Sequence, residues 1–237
     1  MMLDISMDRL WMLFILVVLM SLASQAKAEL VVDGTRVIYY GADREATIAV
    51  SNIGGEVVLA HSWITDDKNE ESPDIPFVII EPLIKIEPQR RHRIRILYSG
   101  AGLPSDRESM FFLNVMGVPT KSGRQNVLQF AVKQRLKMFF RPKGMKGSVS
   151  DAVASLQWKR LKDRVEVLNS SRFHVTLTDL SLLASEEKSL ILDYLLLKPG
   201  EHQYIDLKAP FGTSGTKLEF TEINDVGLQV SHLVKFD

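Results

Sequence analysis

The chain contains no cysteine. It can therefore form no disulfide, use no thiol nucleophile and build no thiolate metal site, and its stability must come from packing. Nor does one sign of charge prevail: 29 basic residues balance 29 acidic ones, which leaves no global field to attract nucleic acid, an anionic membrane or an acidic substrate. Any electrostatic site has to be local. The apolar run from Leu10 to Leu22 falls short of the about 20 residues that a membrane span needs. No third of the chain keeps a sustained helical period, and no repeat at solenoid spacing is visible. The five histidines, His61, His92, His174, His202 and His232, form no HExxH or His-x-His pattern, no phosphate-binding loop is present, and Gly212 to Gly215 reads GTSG rather than a nucleophile elbow. The chain reads as a non-enzyme without cofactor or metal.

What is present starts with an address. Arg9 precedes the apolar run, and SLASQAKA, from Ser21 to Ala28, ends in a small-x-small cleavage site, so residues 1–28 read as a secretory signal and Glu29 as the first mature residue. Asp4 and Asp8 are unusual in such a signal, and a start at Met7 would leave Arg9 more dominant. Of the 237 residues 46% are hydrophobic and only 14 are glycine and 9 proline, enough apolar material for a substantial core.

Downstream, short alternating or apolar segments are separated by turn residues: LVVDGTRVIYY, ATIAVSN, VVLAHSWI, PFVII, HRIRILYS and MFFLNVMGV. This spacing indicates an all-β sandwich rather than an α/β fold. A break at Arg141-Pro142-Lys143-Gly144 is followed by SLQWKR, RVEVLN, HVTLTDLSLL, QYIDL, KLEFTEI and LQVSHLVKF, which read as a second β domain. The predicted boundaries are 29–142 and 143–237. Just before the break, NVLQFAVKQRLKMFF, from Asn126 to Phe140, is about three times the length of an ordinary strand and holds no proline or glycine. Soluble proteins blunt long apolar edges, so such a strand is either buried or kept available for docking. Leu128, Phe130 and Val132 share one face. Lys137 has the opposite parity, which leaves twist, a bulge or a genuinely different face to place it. Trp63 and Trp158 sit in contexts that look like core.

The segment LPSDRESMFFLNVMGVP, from Leu103 to Pro119, resembles the signature of the periplasmic pilus chaperones of the chaperone-usher pathway. DGTRVIY from Asp33 to Tyr39 resembles that family's first strand, HSWI around Trp63 its second, and NVLQFAVKQRLKMFFRP the last strand of its first domain. The likeness thins in the second half, to Asn169, Val175 to Leu177, and Ile223-Asn224-Asp225.

This resemblance implies two immunoglobulin-like sandwiches set as a boomerang around a basic cleft. It also implies a role: holding pilin-like secreted subunits that lack a last strand, and delivering them to an outer-membrane usher. Asn126, Leu128, Phe130 and Val132 are implied as the donated row, worth on the order of 5 to 9 kcal/mol before ordering costs. One strand can supply both main-chain bonds and alternating apolar side chains by β-augmentation. Arg36 and Lys137 align with two cleft cations that grip the subunit's C-terminal carboxylate, and Glu108, Arg141 and Asp225 with a charge network that fixes the interdomain angle. The short connection VPTKSGRQ, from Val118 to Gln125, resembles the class associated with rod-like pili. Self-association of the unliganded chain through its exposed strands is a further possibility.

Three segments depart from the family pattern: Tyr40-Gly41-Ala42, Val57, and SSRFH from Ser170 to His174 in place of a Pro-Thr-Pro-Tyr-Tyr run. Rival readings are a structural pilus subunit and a periplasmic binding module. The first usually carries a donor extension and a cysteine pair, whereas Glu29 is followed almost at once by a strand. The second needs exposed aromatics clustered on one face.

Overall fold

The computed structural model describes residues 30–68, 70–120, 129–161, 163–184, 187–207 and 216–236, together with Trp11. Asn126, Leu128 and, Trp11 aside, the segment 1–28 lie outside the described residues. The first sandwich contains β1 (Leu30–Val32), β2 (Arg36–Tyr40), β3 (Ala46–Asn52), β4 (Val58–Thr65), β5 (Phe77–Ile79), β6 (Leu83–Ile86), β7 (Arg91–Tyr98), β8 (Ser109–Pro119) and β9 (Val132–Arg141). One of its sheets runs β1-β3-β7-β5, the other β2-β9-β8-β4-β6. Side chains from both sheets meet in one core. In β7, Ile94 and Ile96 are buried while Arg91, Arg93 and Arg95 remain in water; in β8, Phe111, Leu113 and Val115 fill the core between the sheets.

The second sandwich holds a short helix α1 (Val149–Ala154) and β10 (Gln157–Arg160), β11 (Arg164–Leu168), β12 (Val175–Ala184), β13 (Glu187–Leu197), β14 (His202–Asp206), β15 (Lys217–Ile223) and β16 (Gln229–Lys235). Its sheets run β10-β11-β14 and β13-β12-β15-β16. Their separate core includes Val165, Val167, Val175, Leu177, Leu180, Leu182, Leu197, Leu218 and Phe220, and α1 adds Val149, Ala152 and Val153 to it. Ser148 caps α1 by accepting from the Asp151 amide.

The structure corrects three expectations. LVVDGTRVIYY is two strands in different sheets: β1 pairs with β3, β2 pairs in parallel with β9, and Gly34, at φ 126°, makes the crossing. Among the described residues the long strand begins at Val132, where its pairing with β8 starts opposite Gly117, and residues 129–131 are not in a strand. Trp63 is not core. It lies half-buried on the outer face of its sheet, stacked on His61 at 4.9 Å. Trp158 does pack against the second core, 5.3 Å from the Phe220 ring.

Candidate functional site

β9 pairs with β8 from Val132 to Phe140 without a register shift, so side-chain direction along it follows parity. Leu136, Met138 and Phe140 enter the core, and Val132 continues that row toward the strand's open end, where it is 49% exposed. Phe130, just ahead, is 69% exposed. Lys133, Arg135, Lys137, Phe139 and Arg141 take the other face. The parity conflict in the sequence therefore resolves as two different faces. The even row extends the sandwich interior, and the odd row lines the outside of the sheet.

The edge of β9 is equally divided. Its parallel pairing with β2 covers only Lys137 to Arg141, beginning at Arg36 opposite Lys137. Val132 to Leu136 pair with β8 on one side and with no strand on the other among the described residues, although the Gln134 side-chain Nε2 donates to the Leu30 carbonyl at 2.8 Å. Free backbone N–H and C=O groups beside exposed Phe130 and Val132 are what an added strand requires.

Where that free edge ends, two cations lie side by side. Arg36 and Lys137 are neighbours in register on β2 and β9, and neither joins an ion pair among the described residues. Arg36 Nη1 donates to the Ile223 carbonyl at 2.8 Å, while its Nε is buried without a partner. Lys137 Nζ donates to Thr176 Oγ1 at 3.3 Å and lies 4.7 Å from the centre of the Tyr194 ring. Both contacts come from the second sandwich, so the pair sits between the two. Burial, and secondarily the charge of Arg36, pushes the Lys137 ammonium down to about 8. Burial also lowers Arg36 from its ordinary value, against the pull of Asp225. Two adjacent, partly desolvated cations with spare donors are poorly satisfied alone, and a carboxylate can satisfy both.

Four residues on, β9 ends in Arg141, which bridges the sandwiches. Its Nε donates to Glu108 Oε1 at 2.8 Å, and its Nη1 and Nη2 donate to Asp225 at 2.7 and 2.5 Å. Glu108 and Arg141 are buried. Burial alone would lower the guanidinium, but the hydrogen bonds to Asp225 and the charge of Glu108 hold it well above its ordinary value. Asn224 builds the turn that presents Asp225, its Oδ1 accepting from the amides of Val226 and Leu228. Gly227 in that turn has φ 81°, and a Cβ there would sit 2.3 Å from Thr35 Oγ1, so glycine lets the two sandwiches approach.

The network is larger than the sequence suggested. Glu108 Oε2 accepts from the His174 amide at 2.7 Å and faces its Nδ1 at 3.0 Å. Asn169 shapes the SSRFH segment that carries His174, donating to the Phe173 and Lys198 carbonyls at 2.8 and 3.0 Å. An exposed pair, Lys198 with Asp67 at 2.5 Å, adds a separate link. His174 had a visible signal in its departure from the expected run. Thr176 lies in the matching stretch Val175 to Leu177, whereas Tyr194, Asp67 and Lys198 had no signal.

Comparison with known proteins agrees with this geometry. Residues 29–146 match the family described as pili and flagellar-assembly chaperone, PapD N-terminal domain, and residues 151–233 match the pili assembly chaperone PapD, C-terminal domain. The chain belongs to the pilus-assembly chaperones. It is 37% identical over 220 residues to the chaperone protein FimB/FhaD of Bordetella pertussis, covering 88% of each chain, and 34% identical over 208 residues to the probable fimbrial chaperone LpfB of Escherichia coli O157:H7, covering 86% of each. Among solved structures it is similar to the CupB2 chaperone of Pseudomonas aeruginosa, with a TM-score of 0.75 at 30% identity, over 87% of this chain and 100% of that one. Members of this family assist assembly rather than catalyse a reaction. Among the described residues no helix is long and apolar enough to cross a membrane.

Proposed function

We propose that this pilus chaperone acts in the periplasm, as mature residues 29–237, and holds a pilin-like subunit by lending it β9. The subunit's strand adds to the free edge at Val132 to Leu136, while Asn126, Leu128, Phe130 and Val132 fill its groove. Its C-terminal carboxylate is pinned by Arg36 and Lys137, which sets the register; a slip of one residue would turn the apolar row away. The domain of residues 29–142 makes this contact, the domain of residues 143–237 completes the cleft, and Glu108, Arg141 and Asp225 hold the two at a fixed angle. The subunit then passes to an outer-membrane usher. The observation that carries the reading is the free edge of β9 running directly into two cations that have no counter-ion among the described residues.

Lys137 supplies the test. Its folded value of about 8 lies below the 10.5 of free lysine. Between the two the unfolded chain holds a proton that the folded chain has released, so stability rises with pH across that window, and below about 8 the folded state carries the full cost of a buried charge. Lys137→Met should raise folding stability at pH 7 by about 1 to 2 kcal/mol after solvent screening, measured by urea denaturation. The same variant should lose the subunit on co-purification from periplasm. A stabilised variant that retains the subunit at wild-type level would remove Lys137 from the anchor.

A further inference from the structure

Lys137 is compensated in an unusual way. The carboxylates that bear on its neighbour Arg36, Glu108 and Asp225, are committed to Arg141. A like charge, Arg36, stands beside it on β2. What faces the ammonium from the second sandwich is neutral: the Thr176 hydroxyl on β12 and the Tyr194 ring on β13. Tyr194 pairs with Thr178, whose Oγ1 is buried without a partner, so the same stretch of sheet leaves a second polar atom unsatisfied, like Arg36 Nε. Tyr194 itself is 47% exposed, and its ring is not held there by core packing.

A neutral ring is suited to this place. A carboxylate here would pair with Lys137 permanently and compete with an incoming one. A π face attracts the cation without taking its N–H groups. Thr176 uses one of the three donors, which leaves others for a ligand.

We propose that Tyr194 is a positioning residue that holds the Lys137 ammonium toward the cleft, ready for a subunit's terminal carboxylate. The inference rests on the carboxylate anchor proposed above. The groups that bear on Lys137 are Arg36 from β2, Tyr194 from β13 and Thr176 from β12; its own sheet adds Arg135, stacked on Phe112 at 3.6 Å, and Arg141, neutralised by Glu108 and Asp225. His174, at the start of β12, is engaged by Glu108.

The intact chain, labelled at the lysine Cε, reports the Lys137 titration by NMR. Tyr194→Leu should lower the midpoint from about 8 by roughly half a unit to one unit, and Tyr194→Phe, which keeps the ring, should restore it. The binding probe is a synthetic peptide of alternating valine and serine with a free C-terminal carboxylate, compared with its C-terminal amide. The carboxylate peptide should bind Tyr194→Leu roughly three- to tenfold more weakly than wild type near pH 8.5, and less weakly than that near pH 6, where Lys137 is charged in both proteins and only its orientation is lost. An unchanged midpoint in Tyr194→Leu, or no restoration by Tyr194→Phe, would overturn the proposal. If Arg36→Ala and Lys137→Ala bind the carboxylate peptide as wild type does, the anchor itself is wrong, whatever Tyr194 does.

Discussion

Arg141→Ala should cost about 3 to 5 kcal/mol of stability and uncouple the two sandwiches. The substitution leaves Glu108 buried, with one oxygen stripped of its charged donor and the other still facing His174, and it frees Asp225 on the far side of the junction. The penalty comes mainly from stranding a desolvated carboxylate rather than from the intrinsic strength of the pair. Glu108→Ala with Arg141→Ala should therefore be less damaging than Arg141→Ala alone, in a double-mutant cycle. Urea unfolding followed by one probe in each sandwich gives the readout. Coincident transitions in the wild type should separate in Arg141→Ala. A loss below about 1 kcal/mol, the range of an exposed pair, would show that the network does not join the domains.

Phe130→Glu with Val132→Glu should abolish subunit binding and leave folding intact. Both side chains are largely in water, 69% and 49% exposed, so the fold loses little packing and stability should stay within about 0.5 kcal/mol. Binding has far more to lose. Two apolar anchors, each worth about 1.5 to 3 kcal/mol on burial, are replaced by charges that the subunit's groove would have to desolvate. The dissociation constant should rise by roughly a thousandfold or more, corresponding to about 4 kcal/mol. A wild-type complex with the double variant would mean that these residues do not enter the groove.

Much of this architecture was legible because it rests on short-range chemistry. Alternation marks β7, where Ile94 and Ile96 are core between exposed arginines, and the family resemblance, strongest in the signature from Leu103 to Pro119, brought Arg36, Lys137, Glu108, Arg141 and Asp225 to attention together. The structure places those five along one junction. What the sequence concealed depends on partners distant in the chain. β13 was missed because LILDYLLL, apolar but for Asp193, shows no alternation from which periodicity could assign it, and with it went Tyr194. The described part of β9 starts later than the composition suggests because a strand is defined by its ladder, and the β8 ladder begins at Val132. The division of LVVDGTRVIYY between two sheets turns on the backbone at Gly34. Trp63 looked like core because it sits in the apolar run VVLAHSWI; with Ser62 and Ile64 buried on either side, parity sends it outward, over Lys133.

The central claim is that β9 completes another protein's sheet along its free edge. Amide hydrogen exchange of the chain, alone and bound to the subunit that co-purifies with it from periplasm, tests this directly, because exchange reports whether each backbone N–H has acquired a partner. The account predicts new protection among the amides from Val132 to Leu136 in the complex, with β2, β3 and β7 unchanged. Unaltered exchange at Val132 to Leu136, with protection appearing elsewhere on the surface, would contradict it.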